Sequence, residues 1–249
     1  MDRRFFIAGS AAALTAGRAV AQAPQAKPAG ERLYHNPLRT PDDVKGFVLE
    51  GDARVDFETG RMRLRNARPA TDGQASNFVY WCPEVFPDNV EFRWNFWPLE
   101  EPGLCILFFA AQGRLPDGGA ASLFDKRLKT RAGVYEQYTQ SDISALQMAY
   151  FRRRWPSERA LHLCNLRHAP GFELLAQAAD PLPDVADATL PYRIRLQKRA
   201  TGVDFFINDL PVINWRGGRK DWPADGNVGF RQMAPLVAAY SDFEVWKLP

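Results

Sequence analysis

The chain has 249 residues, of which 46% are hydrophobic and 24% charged, and its formal net charge is +3. This length and composition are typical of one large globular domain and exclude a disordered chain. The arginines are spread along the sequence rather than gathered into one basic block, which argues against nucleic acid as a partner.

The N-terminus has the pattern of an export signal. Arg3 and Arg4 precede an apolar run at residues 5–14, which is followed by small residues. The run is too short for a membrane-spanning helix, which needs about 20 residues. We interpret residues 1–21 as a signal of the twin-arginine type, with a general secretory signal as the alternative, and residues 22–32 as a flexible lead. We therefore expect a periplasmic or secreted protein with no membrane association after signal removal.

Short segments with the alternation of β-strands follow. At residues 90–96, apolar side chains alternate with charged and polar ones, as in a strand with one buried face. Residues 192–215 predict three strands joined by turns at Thr201-Gly202 and Asn208-Asp209, and two more strands close the chain. About a dozen strands, without a long helical period or an internal repeat, predict an all-β fold: a two-sheet antiparallel sandwich in a single domain, residues 33–249.

The segment "GVYEQYTQSDISALQMAYFRR", residues 133–153, is unusually rich in tyrosine and in charged residues. We interpret it as two half-buried strands, the second of them starting at Leu146. Glu136 and Tyr138, two residues apart, would then share one strand face and lie side by side in a groove. A carboxylate beside a phenol is suited to proton transfer. The alternative is that Glu136 pairs with an arginine in a buried polar network.

The remaining candidate site residues come from the middle of the chain and from one C-terminal strand. His162 is a candidate general base, because imidazole titrates near neutral pH. Arginine binds a sugar carboxylate through a two-point fork. The candidate substrate-binding residues are Gln112, Tyr150, Arg152, Asn165, Arg167, Gln177, Arg231 and Gln232.

The histidines and cysteines do not have the spacing of metal ligands. His162 and His168 lack a companion carboxylate at ligand intervals, so we expect no metal at histidine and no cofactor. A structural calcium near Asp117 or Asp180 stays open, although no motif supports it. The three cysteines, at positions 82, 105 and 164, lie in apolar runs and are predicted to be buried free thiols, with one disulfide as the alternative.

Several peptides resemble those of one bacterial family. "CILFFAAQG", "GVYEQY", "DISALQMAYFRR", "CNLR", "GFELLAQAADP", "FFINDLPVINW" and "GFRQMAPLVAAY" are similar, in this order, to the YesU-like family, a domain-of-unknown-function family. The resemblance runs from about Leu33 to the C-terminus. It implies a concanavalin A-like jelly roll and an occurrence in systems that degrade plant polysaccharides. Gln147 stands where the family pattern "INALHVSYFRR" has histidine, so a catalytic role at this position is not implied here.

These observations predict a carbohydrate-active protein whose partner is an acidic oligosaccharide or polysaccharide. Our first hypothesis is an enzyme that cleaves glycosidic bonds, as a lyase or a hydrolase. Hydrolysis ordinarily needs two carboxylates, and only Glu136 is convincing, whereas a lyase needs a base and a group that neutralises a uronate. The alternative is a non-catalytic carbohydrate-binding module, and a third reading is a protein-interaction sandwich. The oligomeric state is left open by the sequence.

Overall fold

The computed structural model describes Pro28 and residues 30–189, 191–217 and 222–249. The predicted export signal and most of the lead lie outside the described residues. Strands β1 to β8 are Arg32–Asn36, Val48–Gly51, Ala53–Asp56, Met62–Asn66, Phe78–Phe86, Val90–Glu100, Leu104–Arg114 and Ala120–Ala121. Strands β9 to β16 are Ile143–Tyr150, Leu163–Ala169, Glu173–Ala179, Tyr192–Arg199, Gly202–Ile207, Leu210–Arg216, Gly226–Met233 and Val237–Lys247. The short α-helices α1 and α2 are Glu136–Thr139 and Pro156–Ala160, and 3-10 turns lie at Pro41–Val44, Ala70–Ser76 and Val185–Asp187.

The strands form two sheets of eight strands, and every pairing is antiparallel. Sheet A has the order β14-β13-β12-β6-β16-β4-β3, with β1 also paired to β16. Sheet B has the order β11-β10-β9-β7-β15-β5-β2, with β8 paired to β7. The predicted all-β, two-sheet antiparallel sandwich is confirmed. Its predicted hairpins are present as β12 to β14, and Asn208 and Asp209 both adopt positive φ in the second turn, as tight hairpin turns require.

The main core lies between the two sheets. The apolar residues of β6 point into it as the alternation predicts, among them Phe92 and Trp94, which are almost fully buried. Tyrosine hydroxyls in this core have hydrogen-bond partners: Trp94 Nε1 donates to Tyr150 Oη at 3.3 Å, and Cys105 Sγ lies 3.4 Å from Tyr240 Oη. The three cysteines are buried free thiols, as predicted.

A second, smaller core covers much of the other face of sheet B. The chain between β7 and β9, residues 115–142, folds over this face, and we call it the covering segment. Its Leu123 and Tyr138 are buried against Trp81, Ile106 and Phe108 of the sheet. Sheet B is therefore buried on both faces over much of its area, which explains why β9 is buried at every position instead of alternating.

The covering segment corrects the sequence prediction for residues 133–153. Residues 136–139 form the single turn α1 and not a strand, so Glu136 and Tyr138 do not share a strand face. β9 starts at Ile143, three residues earlier than predicted. Gly133 allows the segment to approach the sheet, because its φ is +86° and a Cβ there would lie 1.9 Å from the Asn77 carbonyl oxygen.

A buried ion pair connects the covering segment to sheet B. Arg131 donates to Glu50 of β2 through Nε and Nη2, at distances of 2.7 to 3.1 Å, and Nη2 also donates to the Leu123 carbonyl. Both side chains are at most one-tenth exposed. Among the described residues, no helix has the length and apolar character to cross a membrane.

Candidate functional site

Next to the covering segment, sheet B leaves a pocket of about 230 Å³ open to solvent. Its floor is the row Ile106, Ala149 and Asn165, which lie opposite one another on β7, β9 and β10. Side chains two apart on a strand share a face, so Arg167 stands on the same side as Asn165. A drug-sized ligand usually occupies roughly 300–1,000 Å³. This pocket therefore suits a smaller group, such as a single sugar ring.

One wall of the pocket is an ion-paired arginine. Arg152 Nη2 donates to Glu158 Oε1 at 2.7 Å, and both side chains line the pocket. The other carboxylate oxygen of Glu158 accepts hydrogen bonds from the backbone N–H groups of Arg154 and Trp155. Glu158, at the start of α2, thus holds the loop after β9 in place. Its two oxygens are occupied by these contacts.

Two polar side chains of β10, Asn165 of the floor and Arg167, lie next to Arg152. With its amide oxygen toward Arg152, Asn165 accepts a hydrogen bond from Arg152 Nη1 at 3.0 Å. The Asn165 amide also lies 2.8 Å from that of Gln177, its neighbour on β11. Arg167 Nη1 donates to the Phe172 carbonyl at 3.0 Å, and its guanidinium lies 3.9 Å from the centre of the Phe172 ring. The structure therefore brings together four of the predicted substrate-binding residues.

Tyr135, the residue before α1, also lines the pocket. Its hydroxyl donates to Gln147 Oε1 at 2.7 Å, and its ring meets the Phe172 ring edge-on. Burial raises the pKa of Tyr135 to about 12, although the nearby charges of Arg231, Arg167 and Arg152 act in the opposite direction. The phenol is therefore protonated at neutral pH and is a hydrogen-bond donor to Gln147.

Arg231 lies beneath Tyr135 and is fully buried. Its guanidinium is 4.8 Å from the Tyr135 ring centre and 5.4 Å from that of Tyr138, and Nη1 donates to the Gly133 carbonyl at 2.8 Å. Its Nε and Nη2 have no hydrogen-bond partner among the described residues. Burial lowers the pKa of Arg231, but arginine remains charged in proteins. Arg231 is thus a desolvated cation directly behind the pocket wall.

The charges around the pocket do not balance. Arg152, Arg167 and Arg231 supply three positive charges, whereas Glu158 supplies one negative charge and the exposed Glu136, whose charge acts on Arg231, supplies another, which leaves a net of +1. Neither Arg167 nor Arg231 forms an ion pair with a carboxylate of the described part of the chain. Low-dielectric surroundings strengthen this field. The pocket is therefore suited to an anionic group.

Two exposed aromatic rings stand at the rim of the pocket. Trp155 is 47% exposed and Phe172 is 40% exposed, and both line the opening. Sequence reasoning missed these two residues and Tyr135 as pocket residues, because all three lie outside the strands. The signals available were Trp155 directly before a proline and Phe172 after "APG", a turn sequence that displays the next side chain.

Three of the predicted site residues lie in the cores and do not reach the pocket. Tyr138 is fully buried against Trp81 and Phe108, and its hydroxyl accepts a hydrogen bond from the Gly133 N–H. Tyr150 lies between the sheets, and Gln232 Nε2 donates to Tyr240 Oη at 2.9 Å in the same core. Their predicted roles in catalysis or binding are not compatible with this burial.

Three others are exposed or lie elsewhere. Glu136, on α1, faces solvent; its charge acts on Arg231, but within the described residues its carboxylate forms no direct ion pair with an arginine. His162 lies before β10, outside the pocket, with Nε2 3.5 Å from Asp184 Oδ1. Gln112 bonds to Asp225 at a different hollow of sheet B.

No group of three or more potential His, Cys, Asp or Glu metal ligands occurs within the described residues. The two aspartates considered for calcium have protein donors. Asp117 accepts from the Gly119 N–H in its own turn. Asp180 accepts from the N–H groups of Phe151 and Leu182 and pairs with Arg153.

Comparison with known proteins identifies relatives over most of the chain. The model of the family described as "Domain of unknown function (DUF1961)" matches residues 31–245. The Bacillus subtilis (strain 168) protein "Uncharacterized protein YesU" is 44% identical over 219 residues, which cover 87% of this chain and 96% of that protein. A crystal structure of a Bacillus subtilis protein of unknown function with a galectin-like fold is also 44% identical, has a TM-score of 0.82, and covers 88% of this chain and 96% of that one. The Emp46p carbohydrate recognition domain in its potassium-bound form shares the fold, with a TM-score of 0.58, 10% identity, and coverage of 88% and 97%.

Proposed function

The chain belongs to the DUF1961 family, and we propose that its pocket binds an acidic sugar residue of an oligosaccharide or polysaccharide. The observation that carries this proposal is the excess of guanidinium groups around the pocket. Arg152 and Arg167 line it and Arg231 lies behind it, against the carboxylates of Glu158 and the exposed Glu136. Guanidinium groups bind carboxylates through parallel N–H donors, so a uronate is the sugar that fits best.

The uncharged features of the pocket support a sugar rather than a small inorganic anion. Gln74 lines the pocket, and its amide NH2 group can donate to a sugar hydroxyl, since its oxygen accepts from Asn77 Nδ2 and the Tyr135 N–H. The exposed rings of Trp155 and Phe172 offer apolar planes, onto which the C–H faces of a pyranose can pack. The similarity of the fold to a carbohydrate recognition domain agrees with this reading. Fold alone does not assign function, so the proposal rests on the site.

Hydrolysis of the bound sugar is not supported by the pocket. A glycosidase places two carboxyl groups about 5 to 10 Å apart on either side of the scissile bond. Among the described residues that line the pocket, Glu158 alone carries a carboxylate. Its oxygens accept hydrogen bonds from Arg152 and from two backbone N–H groups. Glu136 does not line the pocket.

A second candidate function is β-elimination, which is favoured by the position of the Tyr135 hydroxyl beside the arginines. In this reaction a base removes the proton at C5 of a uronate, the bond from C4 to the glycosidic oxygen breaks, and a C4=C5 double bond forms. An arginine would neutralise the carboxylate, a hydroxide ion from the solvent that enters the open pocket would take the C5 proton and become water, and the protonated Tyr135 would donate its proton to the leaving oxygen and regain one from that water. The new double bond absorbs ultraviolet light, so turnover of oligouronides is directly measurable.

Calorimetric titration tests the proposed binding function. We expect an oligouronide to bind and the neutral oligosaccharide of the same length to bind at least about tenfold more weakly. Arg167→Gln removes a charged hydrogen-bond donor worth about 1.5–3 kcal/mol, so affinity for the oligouronide should fall about tenfold to a hundredfold. Arg114→Gln, at an exposed arginine that lines a different hollow, is the matched control. Equal binding of both oligosaccharides, or equal effects of both variants, would contradict the proposal.

We propose that this binding takes place outside the cytoplasm. The N-terminal export pattern at residues 1–21 supports a periplasmic or secreted protein. Cell fractionation of the full-length chain should recover the mature protein in the periplasm or the medium. Replacement of Arg3 and Arg4 by lysine should retain it in the cytoplasm if the twin-arginine route is used.

A further inference from the structure

We infer that the site recognises an internal stretch of an acidic glycan chain, with one acidic residue in the pocket and a neighbouring sugar on each aromatic ring of the rim. This inference rests on the proposed function, because it takes the ligand to be an acidic sugar. It adds the length of the ligand, its direction along β9 and β10, and the roles of Trp155 and Phe172.

The pocket extends along the strands of sheet B as well as across them. One end is lined by Leu104 and the other by Arg167, which is level with Phe108 in the strand register. Leu104 and Phe108 are four residues apart on β7, which corresponds to about 13 Å at the rise of a β-strand. This is longer than one pyranose ring. A bound chain therefore has room to extend past a central sugar in both directions along the strands.

The two exposed rings lie at opposite ends of this axis. Trp155 lies beyond the end of β9, in the loop that leads to α2. Phe172 lies in the turn between β10 and β11, at the Arg167 end of the pocket. A sugar at each end would thus meet an aromatic plane.

An arginine covers part of each ring and fixes its orientation. Arg154 Cζ lies 4.8 Å from the Trp155 ring centre, and Arg167 Cζ lies 3.9 Å from the Phe172 ring centre. Glu158 holds the backbone of Trp155 as well. The rings nevertheless keep 47% and 40% of their surface exposed. Aromatic rings that are held by their surroundings but remain open to solvent are suited to bind apolar faces of a ligand with little loss of side-chain entropy.

The pocket itself holds only the central residue. Its volume of about 230 Å³ is too small for three sugar rings, so the outer sugars would lie outside it on the rim. The Arg152 guanidinium reaches Asn165 on the pocket floor, and Arg167 lies at the Phe172 end, so both charges face the space between the two rings. Recognition of charge and recognition of chain length are therefore assigned to different residues, and substitutions can separate them.

The test is a titration series with uronate oligomers of one, two, three and four residues against the full-length protein and three variants. Trp155→Ala and Phe172→Ala remove the rim rings. Leu161→Ala, at a side chain that is 62% exposed and does not line the pocket, is the control. For the unmodified protein we expect affinity to rise from one to three residues and then to level off. Each rim variant should lose about fivefold to tenfold affinity for the trimer and less than about twofold for the monomer.

Two conservative variants test whether the aromatic rings themselves, and not the conformation of the loops that carry them, account for the loss of affinity. Trp155→Phe and Phe172→Tyr keep a ring at each end and should restore most of the affinity for the trimer. The inference is overturned if the unmodified protein binds all lengths equally, or if the rim variants weaken monomer and trimer to the same extent. Absence of binding at every length, with the neutral oligomers equally inert, would instead overturn the proposed function.

Discussion

The buried ion pair between Glu50 and Arg131 stabilises both the fold and the candidate site, and its contribution to the free energy of unfolding can be estimated. Arg131 belongs to the covering segment, which also carries Tyr135, and Glu50 belongs to β2 of sheet B. In Arg131→Met the Glu50 carboxylate would stay buried without its bidentate partner. Removing one member of a buried pair costs about 3–5 kcal/mol. For a chain of this size, 1 kcal/mol corresponds to about 2–4 °C in melting temperature, so we expect a decrease of about 6–20 °C.

The double variant Glu50→Leu/Arg131→Met separates this explanation from a general loss of packing. Removal of both charges leaves no unpaired carboxylate, so the double variant should be more stable than Arg131→Met alone. Denaturant unfolding followed by circular dichroism measures both free energies. Hydrogen exchange should show the largest loss of protection in the covering segment. An Arg131→Met protein within about 1 kcal/mol of the unmodified one, or a double variant less stable than the single one, would refute the reasoning.

Two further predictions concern the second core and the tyrosines. Gly229→Ala should destabilise the protein by about 1–3 kcal/mol in denaturant unfolding and change its near-ultraviolet circular dichroism, because the added Cβ would lie 2.4 Å from Trp81 Cε3. Burial raises the pKa of Tyr135 to about 12 and raises those of Tyr138 and Tyr150 as well, so the folded state keeps protons that the unfolded state loses above about pH 10. The contribution of these buried tyrosines to the free energy of unfolding should be fully present below pH 10 and should fall as pH rises from 10 to 12. Tyrosinate absorbance and unfolding should then appear together. A protein that stays folded at pH 10.5 while most of its tyrosines ionise would contradict this.

The regular part of the fold follows from local sequence signals. The alternation in β6 and the turn residues of the β12 to β14 hairpins are short-range features, and the structure reproduces both. The main error concerns residues 136–139. One helical turn is too short to produce a helical period, so the pattern of these residues did not distinguish a turn from a strand. Contacts from distant parts of the chain decide its conformation: Tyr138 packs on Trp81 and Phe108, and its hydroxyl accepts from Gly133.

Residues of the candidate site could be predicted from the sequence where polar side chains interrupt an apolar strand. Asn165 and Arg167 stand out in "LCNLRHA" because their strand is otherwise buried, and both line the pocket. Gln232 has the same sequence signal, but it faces the other side of its strand, where Tyr240 accepts its hydrogen bond. Sequence alone does not say which face of a doubly buried strand is the open one. That depends on which part of sheet B the covering segment leaves uncovered, and the uncovered part begins next to Tyr135.

Arg231 links the proposed binding of an anion to the stability of the fold. A fully buried guanidinium with two unpartnered nitrogens, Nε and Nη2, and no hydrogen-bonded carboxylate in the described part of the chain, destabilises the folded state. The rings of Tyr135 and Tyr138 and the Gly133 carbonyl offset only part of this cost. An anion bound in the pocket would reduce the electrostatic part of the cost across the Tyr135 ring. Binding and stability are then coupled: a uronate oligomer should raise the melting temperature of the unmodified protein more than that of Arg231→Met, in which no buried cation remains to be compensated.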